Sequence, residues 1–449
     1  MSSRGLARKK AGEIEALGFQ TEIHPVGPAF PPAGTPGVSG KYYRILLANV
    51  FDSEASARAF RDSVRDRFET FLVREVREPS SGLILLKCAD RQLEYESGLP
   101  VVVRGASVTI QGVPVGTGFH WEQNETRSYP DTVWFRLDTD GKVAAVVQLP
   151  IEKYLEGVLP SEMHAGFPRE ALKAQAVAAR SKALANLGLL HTADPFDLCA
   201  DVHCQVFSGL SRAADGTSRA VRETAGLVLW NDGRICDAVY GAVCGGHTED
   251  VNRAWQTRPK AHLRGVEDGP KSLKKAGPLE REENAIRWIT DRPQAFCNTA
   301  DRDVPAALNY TKKYFRWELV LRQEDLAAQI EKRGGRGLGE IRELVPLERG
   351  VSGRITRLKI VGTAGDTVVS GELAIRRMLS PTTLWSSCFT VFKQEEESGP
   401  PSVFVLKGAG WGHGVGLCQT GAAGLALRGK AFDKILRHYY RNASIKKLY

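Results

Sequence analysis

One glutamate, Glu162, lies in a sequence context that suits a proton donor. Its neighbours include Leu159, Met163 and Phe167, which would exclude water from its carboxyl group. Loss of water disfavours the charged form, so the pKa should rise to a range where the group can act as a general acid. A helix that begins just behind it would instead favour the carboxylate. On local chemistry alone, a helix-capping acid in the first turn is the commoner explanation.

A glycine pair, Gly245 and Gly246, is followed by Thr248 and Glu249 and preceded by Tyr240. Glycines without a Cβ atom let backbone N–H groups approach a substrate closely. The three other side chains offer hydrogen bonds to sugar hydroxyls. A structural hairpin turn explains the same glycines equally well.

A second glycine-rich stretch, residues 408–440, carries Trp411 and His413. It lacks the Gly-Lys-Ser/Thr ending of a phosphate-binding loop. His413 lies between glycines that offer it little packing, so we expect it to reach a cleft, and we expect Trp411 to stack on a sugar ring. Core packing under a tight loop is the alternative for both residues.

The eight cysteines include Cys199 and Cys204, which flank His203 closely enough to suggest a metal site. His191, further upstream, is a candidate for an additional ligand. In a strand, the adjacent His203 and Cys204 would not readily face the same ion. Zinc, a disulfide and two reduced thiols therefore remain open at this point.

Three regions must position these residues. Residues 1–78 show the order helix, strand, Pro/Gly-rich linker, strand, helix, strand, with Ser53 as an N-cap, and are expected to form a small ferredoxin-like module. Residues 79–139 alternate apolar and polar residues, as strands do, and form a β-rich connecting domain. Residues 140–449 combine a well-marked helix near residues 168–187 with further strands, which predicts a mixed, strand-rich α+β catalytic domain.

Composition limits the class of protein. Hydrophobic residues make up 42% and charged residues 25% of the 449 residues, as in soluble globular proteins. No apolar run is long enough to span a bilayer. The net charge of +9 suits polyanionic partners, including anionic cell-wall polymers. No helix-turn-helix or RNA-binding signature is present, so nucleic acid is not expected as a partner.

Four separate blocks resemble, in the expected order, the signature of the stage II sporulation protein D family, which includes the LytB-type proteins. Together they span roughly residues 135–445. The matching residues are Tyr154, Leu155, Gly157, Val158, Pro160, Glu162, Met163, Pro168 and Arg180, then Cys204, Gln205, Val206, Phe207 and Gly209, then Tyr240, Gly245, Gly246, Thr248, Glu249 and Trp255, and finally Gly410, Trp411, Gly412, His413, Gly414, Gly416, Gln419 and Gly421.

This resemblance implies peptidoglycan glycan strands as substrate and lytic transglycosylase chemistry, with Glu162 as general acid/base and no required cofactor. A structural zinc ion at Cys199, His203 and Cys204 remains one of the alternatives, since some family members are thought to bind zinc with one His and two Cys. The implied substrate-binding residues are Arg180, Tyr240, Thr248, Glu249, Trp411, His413 and Gln419.

The family also offers a non-catalytic alternative, because LytB-type members are described as binding modifiers of a cell-wall amidase. If the reaction were hydrolytic, Glu249 would be the candidate for the second carboxylate. Residues 1–78 resemble a sporulation-related repeat (SPOR) domain without its first strand, which implies binding of glycan stripped of its peptides. Family membership implies an extracytoplasmic location. The basic N-terminus lacks the apolar core of an export signal, and we expect that the start of the sequence is truncated.

Overall fold

The computed structural model describes residues 4–26, 42–47, 51–64, 67, 81–87, 94–255, 257–270, 277–334, 337–394 and 399–449. Within these residues, helices alternate with small sheets of two or three strands, and all pairings but one are antiparallel. The predicted α+β class is therefore confirmed. None of the helices in the described ranges has both the length and the apolar character needed to cross a bilayer.

The N-terminal segment has the predicted order of elements as far as it is described. Its elements are α1 (Arg4–Glu15), β1 (Thr21–Val26), β2 (Tyr42–Leu47) and α2 (Glu54–Val64), with β1 antiparallel to β2. Ser53 Oγ accepts a hydrogen bond from the Ser56 N–H at 3.2 Å, which confirms it as an N-cap. The predicted last strand, residues 71–76, and most of the linker lie outside the described residues, so the ferredoxin-like arrangement stays a prediction.

The next region is strand-rich, as predicted. Its strands are β3 (Ile84–Lys87), β4 (Glu94–Ser97), β5 (Val101–Val115), β6 (Gln123–Leu137) and β7 (Val143–Val147).

The long strand β6 contacts residues 207–209, a segment close to the candidate site. Arg127 of this strand is buried and donates to the Phe207 carbonyl oxygen at 2.9 Å. Gly209 (φ 65°) approaches so closely that a Cβ atom would lie 2.3 Å from the Ser128 carbonyl oxygen. Tyr129 also belongs to the central core. The predicted domain boundary at residue 139 is not tested by these contacts and stays a prediction.

The central core is built on one long alanine-rich helix. The elements of this part are α3 (Ile151–Glu162), α4 (Arg169–Asn186), α5 (Asp215–Glu223), β8 (Leu227–Asn231), β9 (Arg234–Ile235), β10 (Tyr240–Gly241), α6 (Val251–Trp255) and α7 (Glu282–Thr290). Helix α4 is buried on most of its circumference, because alanine side chains let neighbouring elements approach closely. It packs against α3, α5 and β8.

The C-terminal part forms a second core and then returns to the first. After a 3₁₀ turn (Ala306–Thr311), its elements are α8 (Lys312–Phe315), β11 (Arg316–Arg322), α9 (Gln323–Lys332), β12 (Ile341–Arg349), β13 (Ile355–Gly362), β14 (Asp366–Ser370), α10 (Glu372–Leu379), β15 (Phe389–Gln394), β16 (Val403–Ala409), β17 (Leu417–Cys418), α11 (Gln419–Ala426), α12 (Phe432–Tyr439) and β18 (Ser444–Lys447). The sheets β11-β16-β15 and β12-β13-β14 enclose the second core. Helices α11 and α12 pack back onto α4.

Candidate active site

Glu162 is the last residue of α3, and α4 begins only at Arg169. The alternative of a helix-capping acid in the first turn of a helix is therefore wrong. The buried side chains of Leu155, Val158 and Leu159 hold α3 in place and let it continue through Pro160. A carboxylate at the C-terminal end of a helix meets the negative end of the helix dipole, which favours its protonated form.

The carboxyl group of Glu162 accepts a backbone hydrogen bond and lies near the side chains of Tyr240 and Gln419. The Val206 N–H donates to Glu162 Oε1 at 2.9 Å. Burial raises the pKa of Glu162, while the hydrogen bond from Val206 and the side chains of Tyr240 and Gln419 lower it by smaller amounts. The net result is a raised pKa, as expected of a general acid.

A chain of three polar side chains runs beside this carboxyl group. The Tyr240 hydroxyl donates to Gln205 Oε1 at 2.7 Å, and Gln205 Nε2 donates to the Tyr154 hydroxyl at 3.3 Å. Burial raises the pKa of both tyrosines, so both remain neutral donors. Gln205 is thereby fixed in one orientation, and Tyr240 is presented towards Glu162.

Two short strands bring the C-terminal block to the same place. β10 pairs in parallel with β17, so that Tyr240 lies opposite Leu417 and Gly241 opposite Cys418. Gln419 follows directly as the first residue of α11 and is 5% exposed. Its Nε2 atom has no hydrogen-bond partner within the described residues. A buried amide donor beside Glu162 is suited to a substrate hydroxyl or N-acetyl oxygen.

Aromatic rings form a group next to this carboxyl group. Trp411 stacks on Tyr314 with ring centroids 4.4 Å apart, and Tyr310 lies edge-on to Trp411 at 6.5 Å. Tyr310 is 42% exposed. Burial raises its pKa to about 12, and the charge of Glu162 adds to that effect, which places the ring within electrostatic range of the carboxylate. Flat aromatic faces of this kind suit sugar rings.

His413 lies close to Gly241, the residue after Tyr240, since a Cβ atom at Gly241 would lie 3.5 Å from the His413 ring. Its Nδ1 accepts a hydrogen bond from the Val415 N–H at 3.0 Å, and its ring lies 4.7 Å from that of Trp255. Burial, together with the charges of Arg354 and other cations, lowers the pKa of His413 to about 3. The ring is therefore neutral at physiological pH and acts as a hydrogen-bonding group, not as a cation.

The side chains of Thr248 and Glu249 are buried and form hydrogen bonds with other groups of the protein. Thr248 is 1% exposed, and its Oγ1 accepts from the Val266 N–H at 2.8 Å. Glu249 is likewise 1% exposed and accepts hydrogen bonds from Asp250 N–H, Val351 N–H and the Ser352 hydroxyl. Its acceptor sites are thus occupied by protein groups, although burial raises the pKa of Glu249 overall.

The glycine pair approaches protein atoms. A Cβ atom on Gly245 would lie 3.0 Å from the backbone of Ala409, and one on Gly246 would lie 2.6 Å from the Trp288 ring. Both glycines have positive φ, at 82° and 105°. The interpretation that they admit a substrate to the backbone is not favoured by this packing, and the alternative of a structural turn accounts for both.

Arg180 is fully buried inside the fold. It forms a bidentate ion pair with Glu152 at 2.6 and 2.9 Å, and it donates to the carbonyl oxygens of Leu227 and Val221 at 3.1 and 3.3 Å. None of these partners belongs to the group around Glu162. Its donors join α4 to α3, α5 and β8, so the structure places Arg180 in a structural position.

The predicted metal residues lie together, and His191 joins them. The ligand atoms of His191, Cys199, His203 and Cys204 all lie within 4.8 Å of one another. His203 and Cys204 both face the group because the segment is a turn and not a strand. Asp194 Oδ2 lies 2.8 Å from His191 Nδ1, which leaves Nε2 for an ion. The donor set therefore fits zinc.

Sequence reasoning missed several contributors. Tyr154, Gln205 and Val206 stand inside the family-like blocks and were not assigned a role. Their proximity to Glu162 could have been inferred from those blocks, because blocks separated in sequence often meet at one site. Tyr310 carries no comparable signal and is found only through the fold.

Comparisons with known proteins identify two matching family models. A stage II sporulation protein model matches residues 139–230, which include Glu162 and Gln205. A model for a domain of unknown function (DUF8618) matches residues 249–416.

Three proteins illustrate the relationship. An uncharacterized protein of Brachyspira hyodysenteriae is 28% identical over 350 residues, covering 78% of this chain and 80% of that protein. An amidase enhancer of Bacillus subtilis is 26% identical over 303 residues, covering 65% of this chain and 40% of that protein. Stage II sporulation protein D of Bacillus subtilis is 25% identical over 317 residues, covering 67% of this chain and 76% of that protein. The chain thus spans less than half the length of the amidase enhancer.

Proposed function

Because this chain belongs to the stage II sporulation protein D family, we propose that it is a peptidoglycan lytic transglycosylase with Glu162 as its only acid/base. Its role is related to the bacterial cell wall. The observation that carries the finer proposal is the environment of Glu162, a partly buried carboxyl group with raised pKa beside polar side chains and exposed aromatic rings.

The proposed reaction has two proton transfers and uses no water. Protonated Glu162 gives its proton to the glycosidic oxygen between N-acetylmuramic acid and N-acetylglucosamine as that bond breaks. The 6-hydroxyl oxygen of the muramic acid attacks its own anomeric carbon, and the Glu162 carboxylate accepts the hydroxyl proton. The products are a 1,6-anhydro-muramic end and a free N-acetylglucosamine 4-hydroxyl. Glu162 ends protonated, ready for the next bond.

A single carboxyl group is sufficient for this reaction, whereas a hydrolytic glycosidase needs two. Glu249 is committed to Ser352 and to backbone N–H groups. This arrangement favours the transglycosylase over the hydrolase.

Substrate contacts are assigned to the side chains that border Glu162. Gln419 offers a donor to the sugar next to the scissile bond, and the hydroxyl oxygen of Tyr240, whose proton is donated to Gln205, offers an acceptor. Two aromatic pairs, Trp411 with Tyr310 and His413 with Trp255, offer ring faces and hydrogen bonds to neighbouring sugars. We propose that Arg180, Thr248 and Glu249 stabilise the fold around the site and do not contact the substrate.

Zinc is proposed as a structural group at His191, Cys199, His203 and Cys204. Cys204 precedes Gln205 and Val206, the residues that contact Tyr240 and Glu162. An ion at this position would hold their turn in place. No step of the reaction passes through it.

A second candidate function is that of a non-catalytic amidase modifier. It is favoured by one observation, the similarity to a protein named amidase enhancer. Under either function the partner is the glycan strand of peptidoglycan and the location is extracytoplasmic, and residues 1–78 are proposed to bind glycan in the manner of a SPOR domain.

The deciding experiment compares wild type, Glu162→Gln and Glu156→Gln on intact and amidase-treated peptidoglycan. Glu156 is a matched control, because it lies on the same helix and pairs with Lys153 at 2.9 Å. We expect wild type and Glu156→Gln to release anhydro-muramic ends and Glu162→Gln to bind glycan without cleaving it. If all three bind and none cleaves, the modifier function takes the place of the enzyme. Cleavage by Glu162→Gln at the wild-type rate would remove Glu162 from the mechanism.

A further inference from the structure

A second group of metal-ligating side chains lies buried beside the candidate active site. The ligand atoms of Cys244, Asp268, Cys297 and Cys418 all lie within 4.8 Å of one another. The four residues are 3%, 0%, 0% and 2% exposed. Burial of three thiols and a carboxyl at one point is unusual, because such groups lose their hydration and need a partner in return.

The spacing of these atoms is that of ligands around one ion. Cys244 Sγ lies 3.6 Å from Cys297 Sγ and 3.2 Å from Asp268 Oδ2. Tetrahedral coordination with metal–sulfur bonds of about 2.3 Å separates two sulfurs by about 3.8 Å, and a sulfur from a carboxylate oxygen by about 3.5 Å. These two distances need adjustments of only a few tenths of an ångström, and the remaining pairs lie within 4.8 Å.

The sulfurs receive hydrogen bonds from the backbone. Cys418 Sγ accepts from the N–H groups of Cys244 at 3.2 Å and Gly421 at 3.3 Å. Cys244 Sγ accepts from the Gly246 N–H at 3.4 Å. Donors directed at sulfur favour the thiolate form, which is the form that binds metals.

The carboxyl group is held in a single orientation. Asp268 Oδ1 accepts from the Tyr439 hydroxyl at 2.7 Å and lies 3.2 Å from His438 Nε2. Oδ2 is thereby left to face the thiols. Gly421 permits this approach, because a Cβ atom there would lie 2.3 Å from Asp268 Oδ2. Outer groups that orient a ligand are typical of metal sites.

We propose that Cys244, Asp268, Cys297 and Cys418 form a structural site for one thiophilic divalent ion, with Zn²⁺ as the preferred occupant. Three sulfur ligands exclude Mg²⁺ and Ca²⁺, which prefer oxygen. Four protein ligands close the coordination sphere, so the site stabilises the fold and performs no chemistry. Binding releases the thiol protons to solvent, and the buried guanidinium of Arg316 offsets part of the remaining negative charge.

This ion would connect the two strands that carry the active site. Cys244 follows Tyr240 by four residues, and Cys418 immediately precedes Gln419. β10 and β17 are only two residues long each, so their pairing alone is a weak restraint. A metal bond between the segments would fix Tyr240 and Gln419 relative to each other. The site is distinct from the one at Cys199 and Cys204, and its existence does not depend on cleavage activity.

The test isolates this site by removing the other one. The full chain with Cys199→Ser and Cys204→Ser is purified under reducing conditions with zinc present, and metal per chain is measured by mass spectrometry. We expect one zinc ion per chain. Adding Cys297→Ser or Asp268→Asn should abolish or sharply weaken that binding. Adding Cys236→Ser, a buried thiol outside both groups, should leave it intact.

Cobalt gives a second readout that does not require a ligand to be removed. Co²⁺ added to the chelator-stripped background protein should produce the visible bands and sulfur charge-transfer absorption of a tetrahedral thiolate site, at one equivalent. Absence of both zinc and the cobalt spectrum from a folded background protein would overturn the proposal. So would peptide mapping that finds two of these cysteines joined as a disulfide in protein kept reduced.

Discussion

Replacing Arg180 with alanine should destabilise the fold by about 3–5 kcal/mol and leave glycan affinity unchanged. The expectation comes from its position. Its side chain is fully buried, and its ion pair with Glu152 joins two helices. Removing the guanidinium leaves the Glu152 carboxylate with fewer partners and leaves the Leu227 and Val221 carbonyl oxygens without their side-chain donor.

The magnitude follows from what is lost. Two charge-assisted hydrogen bonds contribute about 1.5–3 kcal/mol each. Truncation also leaves a cavity in a core that is otherwise closely packed. Relaxation and water entry recover part of the sum, which gives the range of about 3–5 kcal/mol. Since a domain is stable by about 5–15 kcal/mol, this is a large share of the total.

Equilibrium unfolding in urea, followed by circular dichroism, measures the change. Arg169→Ala is the matched control, because Arg169 pairs with Glu223 at the surface, where solvent screening leaves such a pair with little effect on stability. A peptidoglycan pull-down on the same samples measures binding. Wild-type stability combined with lost glycan binding in Arg180→Ala would refute the structural assignment and restore the substrate-binding one.

Four further predictions concern the site itself. Glu162→Gln should stabilise the protein at pH 7. Because the pKa of Glu162 is raised in the folded state, the stability of the wild type falls as the pH rises above the ordinary pKa of 4.5, by about 1.4 kcal/mol for each unit by which the pKa is raised. In urea titrations, the stability difference between variant and wild type should therefore vanish at pH 3. Tyr240→Phe should lower kcat by about 10²-fold and move the alkaline limb of the pH–rate profile to higher pH, because the Tyr240 hydroxyl lowers the pKa of Glu162. An unchanged pH–rate profile would contradict this contact. Trp411→Ala should raise KM about tenfold with a smaller effect on kcat, as measured on soluble glycan oligomers. Gly414→Ala should cost about 2–3 kcal/mol in urea unfolding, since φ is 76° and the new Cβ would lie 2.4 Å from Arg354 Cζ.

Local pattern was sufficient for most elements of the fold. Ser53 as an N-cap, the Ala-rich helix α4 and the strands near residues 100–147 follow from capping chemistry and from the periods of 3.6 and 2 residues. Helix α3 was not predicted, because Pro160 is a helix breaker by local preference, whereas packing of the preceding apolar face lets the helix continue. Tertiary burial outweighed the local signal.

The sequence identified residues of the site within each block, but it did not show how the blocks come together. Glu162, Tyr240 and Gln419 were singled out individually, but their meeting depends on the parallel pairing of β10 with β17. The burial of Arg180 could not be predicted, because a motif arginine gives no sign of whether it faces a cleft or the core. The Cys244–Asp268–Cys297–Cys418 group has no spacing motif at all, since its members lie up to 174 residues apart in the chain.

In the proposed mechanism, Glu162 moves a proton between two oxygens of the substrate, and water is not consumed. This can be tested by digesting peptidoglycan in water enriched in ¹⁸O, with mass spectrometry of the released muramic ends. We expect anhydro ends that carry no ¹⁸O and that are absent from the Glu162→Gln digest. Reducing ends that contain ¹⁸O would contradict it, because they would require a water molecule activated by a second base.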